Sequence, residues 1–220
     1  MLIPALNESS TPTPLAEETI RELASHSPNS DITSTAQLTL GAMARNLAET
    51  SPERAIGIVN SLIKQIESSP SPDTTRQLLL VLGNAGSAQA CSAIAGFTTD
   101  SSPVLRAAAV SALRWVDSYQ ASAQLIKVLT SDPESAVRLE AAVSLGCRQI
   151  NANSFEAQRQ ALAIDRNEKV RLALLSNLWK GRVAFPEARK LIEEAAASDA
   201  SEDVRKAAAG LLATDPKHSK

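Results

Sequence analysis

Aromatic residues are scarce in this 220-residue sequence: two Trp, one Tyr and three Phe, 3% of the chain. That shortage excludes a core built on aromatic stacking and a nucleic-acid platform on which successive bases stack. No basic excess compensates, since 22 Lys and Arg stand against 24 Asp and Glu, for a formal charge of −2. Phosphate-backbone binding draws on such an excess, so nucleic acid is a disfavoured partner. Histidine occurs only as His26 and His218, and cysteine only as Cys91 and Cys147, with no CxxC spacing. These supply no metal site, disulfide framework or Ser/His/Asp or Cys/His constellation. No catalytic residue, metal ligand or cofactor is therefore assigned, and both cysteines are expected to be buried and inert. No apolar run approaches the roughly 18 residues of a membrane-span candidate. The opening MLIPALNESSTPTP is too short and polar for a signal peptide. The chain reads as soluble, and the cytoplasm is its default compartment unless it is a piece of a longer protein. No GxxxxGK(S/T) motif occurs, and Gly83 with Gly86 lacks the preceding strand that a dinucleotide loop requires.

What the sequence has is repetition. SDPESAVRLEAAVSLG, Ser131–Gly146, sets out an Asp, five residues, an Arg and an apolar helix, and this pattern occurs four times. The pairs are Asp100/Arg106, Asp132/Arg138, Asp165/Arg171 and Asp199/Arg205, with arginines recurring every 32, 33 and 34 residues. A period in this range signals a stacked solenoid. Apolar residues make up 44% of the chain, Ala and Leu foremost, which suits close packing of helix on helix.

In chain order, residues 1–14 read as a mobile arm, and Pro14 opens a short amphipathic helix that Ser27–Ser34 breaks. Helices follow at about 35–49, 52–67 and 72–82, with Gly83-Asn84-Ala85-Gly86 as a stop and tight turn. The rest alternate at about 87–97, 103–116, 120–130, 134–147, 154–164, 168–180, 185–197 and 202–213, and residues 214–220 form a polar tail. No segment alternates like a strand. Short linkers require antiparallel neighbours. The expected fold is all-α, a right-handed α-solenoid of about six antiparallel helix pairs in one domain over residues 15–213.

Counting each repeated Arg as position zero, four positions are apolar in every copy. They are minus one (Leu105, Val137, Val170, Val204), three (Ala109, Ala141, Leu174, Ala208), four (Val110, Ala142, Leu175, Ala209) and seven (Leu113, Leu145, Leu178, Leu212). At about 100° per residue these form one stripe, and the Arg falls inside it. A cation at the edge of a buried face needs a partner. The recurring Asp, of the same or the adjacent repeat, is the available carboxylate. Asp100, Arg106, Asp132, Arg138, Asp165, Arg171, Asp199 and Arg205 are thus read as a structural ladder, with bidentate geometry open to it.

The Asp-x4-(Val/Leu)-Arg pattern with Ala-Ala and Leu, over about residues 84–213, resembles HEAT-like repeats of the kind found in phycobilin lyases and in bacterial scaffold proteins. Gln77–Val116, with LGNAG followed by a Val-Leu-Arg-Ala-Ala helix, and Leu40–Leu47 upstream, is also similar to the helical superhelix of the vitellogenin and large lipid-transfer group, over about 35–150. The first likeness implies a protein-binding scaffold or a subunit that handles a bilin chromophore. The second implies the helical domain of a larger carrier, because that family's lipid cavity is built largely from sheets that this chain does not contain.

Function is expected where the copies differ. Trp115 lies nine residues after Arg106 and Trp179 eight after Arg171, both off the stripe. Arg114, Trp115, Tyr119, Trp179, Lys180 and Arg182 are the candidate partner-binding residues, since a few aromatics and arginines carry most interface energy. The competing reading is that each Trp covers the end of its helix. Glu193/Glu194 and Glu202/Asp203 are adjacent on helices and do not face one another, so they read as solvated charge rather than acid–base pairs. The sequence thus points to a non-catalytic module that presents a concave solenoid face to a protein partner.

Overall fold

Proline and a capping side chain open helix after helix. Thr13 accepts from Ala16 N ahead of Pro14, Ser71 accepts from Thr74 N ahead of Pro72, and proline also begins the helices at Pro52 and Pro103. Proline's fixed φ suits a first turn, and its missing N–H is one the turn would leave unbonded. The computed structural model describes residues 12–69 and 71–214. Among them are α1 (Pro14–His26), α2 (Ser30–Leu47), α3 (Pro52–Glu67), α4 (Pro72–Ala85), α5 (Cys91–Gly96) and α6 (Pro103–Leu113). Then come α7 (Tyr119–Ser131), α8 (Ser135–Gly146), α9 (Ala152–Ile164), α10 (Glu168–Lys180), α11 (Ala188–Ser198) and α12 (Glu202–Ala213). No strand occurs among the described residues. Of the N-terminal arm, residues 1–11 lie outside the described set, as does the tail from residue 215; the Pro12 carbonyl accepts from Arg54 Nη2 at 3.0 Å.

Three boundaries differ from expectation for local reasons. α2 starts at Ser30, well before Thr35, because the Asn29 side chain accepts from the N–H groups of Asp31 and Ile32 at 2.9 and 3.2 Å. α4 runs through Gly83 and stops at Gly86, whose φ of 64° is the left-handed cap that glycine takes without strain. The segment expected as one helix over 87–97 is instead a short α5 between two 3-10 turns, Ala88–Ala90 and Phe97–Thr99.

The chain divides into two compact units, Met1–Ala121 and Ser122–Lys220. In the first, α2, α4 and α6 lie side by side, α1 packs on α2, α3 on α2 and α4, and α5 on α6. In the second, α8, α10 and α12 form the row, with α9 on α10 and α11 on α10 and α12. The stripe lies inside these rows: Leu174, Leu175 and Leu178 of α10 and Ala141, Ala142 and Leu145 of α8 are all buried. Apolar burial of this kind, at about 25 cal/mol per Å², is the main favourable term in such a core.

The repeat extends to six copies. Ser27/Thr33 and Ser69/Thr75 keep the separation of the Asp/Arg pairs, and Leu78, Leu79 and Leu82 stand at positions three, four and seven after Thr75, all buried. Aligned in this way, position eight is Gly41, Gly83 and Gly146, each against position six of the next helix in its row. A Cβ on Gly41 would lie 2.4 Å from the Val81 carbonyl oxygen, and one on Gly83 2.8 Å from Ala112 Cα. A Cβ on Gly146 would lie 2.1 Å from Asn177 Oδ1. The buried Asn177 side chain donates at 2.8 Å to both the Ala142 carbonyl and Gln158 Oε1, which closes a polar contact in the core of the second unit. These glycines set helix spacing, so the usual helix-propensity gain from alanine is overridden there. Gly83→Ala should lower stability by about 1–3 kcal/mol. Gly57→Ala, where a Cβ meets nothing within 4 Å, should raise it by up to about 1 kcal/mol. Thermal melts of the two variants beside the parent check both signs.

Candidate functional site

The repeated charges sit in the turns that lead into the row helices. Each Asp accepts, through one carboxylate oxygen, the backbone N–H two residues on: Ser102 to Asp100 at 2.7 Å, Glu134 to Asp132 at 2.9 Å, Asn167 to Asp165 and Ser201 to Asp199 at 2.8 Å. Ser27 does the same for Asn29 N at 3.2 Å. The residue six further on reaches back to the same turn. Arg106, Arg138, Arg171 and Arg205 each give Nη1 to the carbonyl of their own repeat's Asp, at 3.0, 2.9 and 2.9 Å for the first three. Thr33 bonds the Ser27 carbonyl at 3.3 Å, and Thr75 bonds Ser69 Oγ at 2.9 Å.

The remaining guanidinium edge goes forward. Arg138 gives Nε and Nη2 to Asp165 at 2.7 and 3.0 Å, and Arg171 gives Nε and Nη2 to Asp199 at 2.8 and 2.7 Å. The sequence left open whether the partner carboxylate belonged to the same or the adjacent repeat; here the same repeat supplies a carbonyl and the next supplies the carboxylate. The Arg171 hydrogen bond, helped by the Ser201 N–H and the charges of Arg171 and Arg205, holds the Asp199 carboxyl below its ordinary value against the effect of burial. At Asp165 burial pushes upward most strongly, yet the Arg138 bond, the Asn167 N–H and the two nearby arginines together outweigh it and the group is lowered. Arg138 and Arg171 are raised in return, each chiefly by the bond to its carboxylate.

The two tryptophans have different surroundings. Trp115, at position nine of its repeat, lies two residues past the end of α6 and is 53% exposed. It lines a groove of about 810 Å³ in the first unit, with Arg45, Glu49, Pro52, Ile56 and Gly86. Arg45 is fixed there by Nη2 donating to the Gly83 carbonyl at 3.2 Å. A Cβ on Gly86 would stand 3.1 Å from the Trp115 carbonyl oxygen and 3.5 Å from the Arg45 guanidinium, so the helix cap also lets these three parts close up. Arg114 beside Trp115 is half-buried and Tyr119 is 76% exposed. Trp179, by contrast, is still on its helix at position eight and is 6% exposed. The Arg182 guanidinium stacks 4.5 Å from its ring and donates to the Trp179 carbonyl at 2.9 Å, while Lys180 is exposed. Arg114, Trp115 and Tyr119 therefore belong to the first unit, and Trp179, Lys180 and Arg182 to the second.

Sequence reasoning missed Ile56, which is 47% exposed on the groove wall. Its signal was available, since it is apolar yet off the stripe of Ala55, Val59, Leu62 and Ile66 that α3 buries. Cys91 is buried as expected, but Cys147 is exposed, because it caps α8 two positions beyond the last residue of the stripe. The adjacent carboxylates are taken up along their own helices: Glu193 pairs with Arg189, Glu194 with Lys190 and Glu202 with Lys206. Among the described residues, no three His, Cys, Asp or Glu side chains come together as a metal-ion site, and no helix is long and apolar enough to cross a membrane. His218 lies outside the described residues.

Residues 59–146 match the family of HEAT repeats. The fold is a HEAT/armadillo-type α-solenoid. Solved structures with this fold include a designed armadillo repeat protein in complex with the peptide (KR)4, at a TM-score of 0.54 and 18% identity over 90% of this chain and 98% of that one. The complex of CpcE and CpcF of phycocyanin lyase from Nostoc sp. PCC7120 matches at 0.52 and 21%, over 71% of this chain and 99% of that one. The archaeal HEAT-like repeats protein from Thermococcus onnurineus NA1 matches at 0.52 and 13%, over 95% and 90%. At these identities the likeness is one of fold. No curated protein matches the sequence. The HEAT-type resemblance of the sequence is thus carried through, and the likeness to the vitellogenin superhelix is not shown by these comparisons.

The carboxylates of the solenoid's turns give a pH dependence of definite sign. Folding lowers Asp165 and Asp199 from about 3.8, so their contribution is in force above that value and disappears as pH falls through the lower, folded one. Urea midpoints should fall as pH drops below about 4, the unfolded carboxylate range. Asp199→Asn should be less stable at pH 7 and show a shallower acid slope.

Proposed function

We propose that this solenoid is a non-catalytic binding module that takes a protein segment in the groove of its first unit. The exposed Trp115 indole carries the reading. A large apolar ring left half in water, beside the exposed Ile56 and two charges of opposite sign, Arg45 and Glu49, is the composition of an interface anchor with a polar rim. Rigid helices fix the groove walls in advance, so little ordering entropy opposes binding. The peptide-bound designed armadillo protein supports the reading at the level of fold. The forward edge of Arg205 apart, the repeated Asp and Arg residues belong, on this proposal, to the frame and not to a ligand site, because the hydrogen bonds they make go to turns of the chain itself.

The CpcE and CpcF likeness favours one alternative, a subunit that handles a bilin chromophore. An unchanged visible absorption of phycocyanobilin on mixing with the protein would exclude it.

The test uses peptides selected from a phage-displayed random library against the purified protein. Binding should shift Trp115 fluorescence, and Trp115→Ala should weaken it by about 30-fold or more, the scale of a hot-spot residue, with the melting temperature unchanged. Trp179→Ala should instead cost about 3–5 kcal/mol of stability, as for a buried Trp. Equal binding by the Trp115→Ala protein would sink the proposal.

A further inference from the structure

α12 carries the same row of side chains that α8 and α10 bury, but much of it is uncovered. Positions four and seven are fully buried in α10, as Leu175 and Leu178, and buried in α8, as Ala142 and Leu145. In α12 the same positions are Ala209, which is exposed, and Leu212, which is half-exposed; Leu211 is half-exposed too. A side chain built at Gly210 would meet nothing within 4 Å. Small residues at positions four and five allow another helix axis to approach closely.

The arginine tells the same story in charge. Arg138 and Arg171 use Nη1 on their own turn and the Nε/Nη2 edge on the carboxylate of the next turn. Arg205 gives Nη1 to the Asp199 and Ala200 carbonyls. Among the described residues, no carboxylate takes its Nε/Nη2 edge. A planar fork of this kind is matched by a carboxylate in bidentate geometry.

We infer that this face of the second unit is an interaction surface for a helix pair of the same repeat type, supplied from outside these 220 residues, whose leading turn brings an Asp to Arg205 as Asp199 is brought to Arg171. The apolar row gives such a partner its contact area, and the carboxylate gives it register. A second copy of this chain fits less well. Its leading repeats hold Ser27 and Ser69 where the others hold Asp, so they would bring a hydroxyl to the arginine and not a carboxylate.

The probe is a fluorescent synthetic peptide of residues 185–213, which contains α11, Asp199 and α12, titrated against the full chain by anisotropy. Saturable one-to-one binding is expected. Ala209→Glu in the protein and Asp199→Asn in the peptide should each weaken it by at least about ten-fold, and Ala209→Glu, at an exposed position, should leave the melting temperature unchanged. A second arm guards against a peptide that stays unfolded: the chain lengthened after Ala213 by a copy of residues 181–213. It should melt in one transition at a higher temperature than the parent, and Asp199→Asn in the added copy should remove the rise. No saturable binding together with no rise in melting temperature would overturn the inference, as would binding indifferent to both substitutions.

Discussion

In the second unit, a guanidinium bonded on two sides joins one repeat to the next. Arg138 and Arg171 each hold the carbonyl of their own turn with one nitrogen and the Asp of the following turn with two others. The charges sit at the edge of a buried stripe, where an unpaired ion would cost several kcal/mol, so a repeat that carries the Arg there needs its carboxylate partner. Fixing turn to turn in this way also fixes the register in which the row helices meet, and with it the close contacts at Gly146 and Asn177.

The first two repeats meet the same geometric need without charge. Ser27 and Ser69 replace the carboxylate and Thr33 and Thr75 the guanidinium, keeping the reach-back to the turn. A hydroxyl is too short to span to a neighbouring repeat, so the hydroxyl turns close locally whereas the ionic turns of the second unit also link forward. The stripe is common to both versions, which indicates that apolar burial builds the solenoid and that the polar pair adjusts how each repeat is seated.

Much of this was legible in the sequence because it depends on spacing. The Asp and Arg separation, the apolar positions and the proline-led helix starts are local patterns, and they located the helices, with the boundaries of α2, α4 and α5 the ones that moved. The first two copies escaped notice because Ser and Thr are too common to stand out, although they occupy the same positions. Gly83 read as a stop because glycine usually ends helices, while its actual role depends on Ala112 in a neighbouring helix. The two tryptophans looked alike in sequence and part company in space, since α6 ends at position seven, short of Trp115, whereas α10 continues to position nine and keeps Trp179 on the helix. The groove at Trp115 was not legible, because its walls come from α2, α3 and α4, and nothing in one dimension brings Arg45, Ile56 and Gly86 together.

The forward link is tested most directly by a double-mutant cycle on Arg171 and Asp199, with stability read by urea unfolding of Arg171→Ala, Asp199→Ala and the double variant. A coupling of about 1.5 kcal/mol or more, within the range for residues in one ion-paired network, is the result predicted. Additivity within about 0.5 kcal/mol, as for independent sites, would contradict it and leave the stripe alone to set the register.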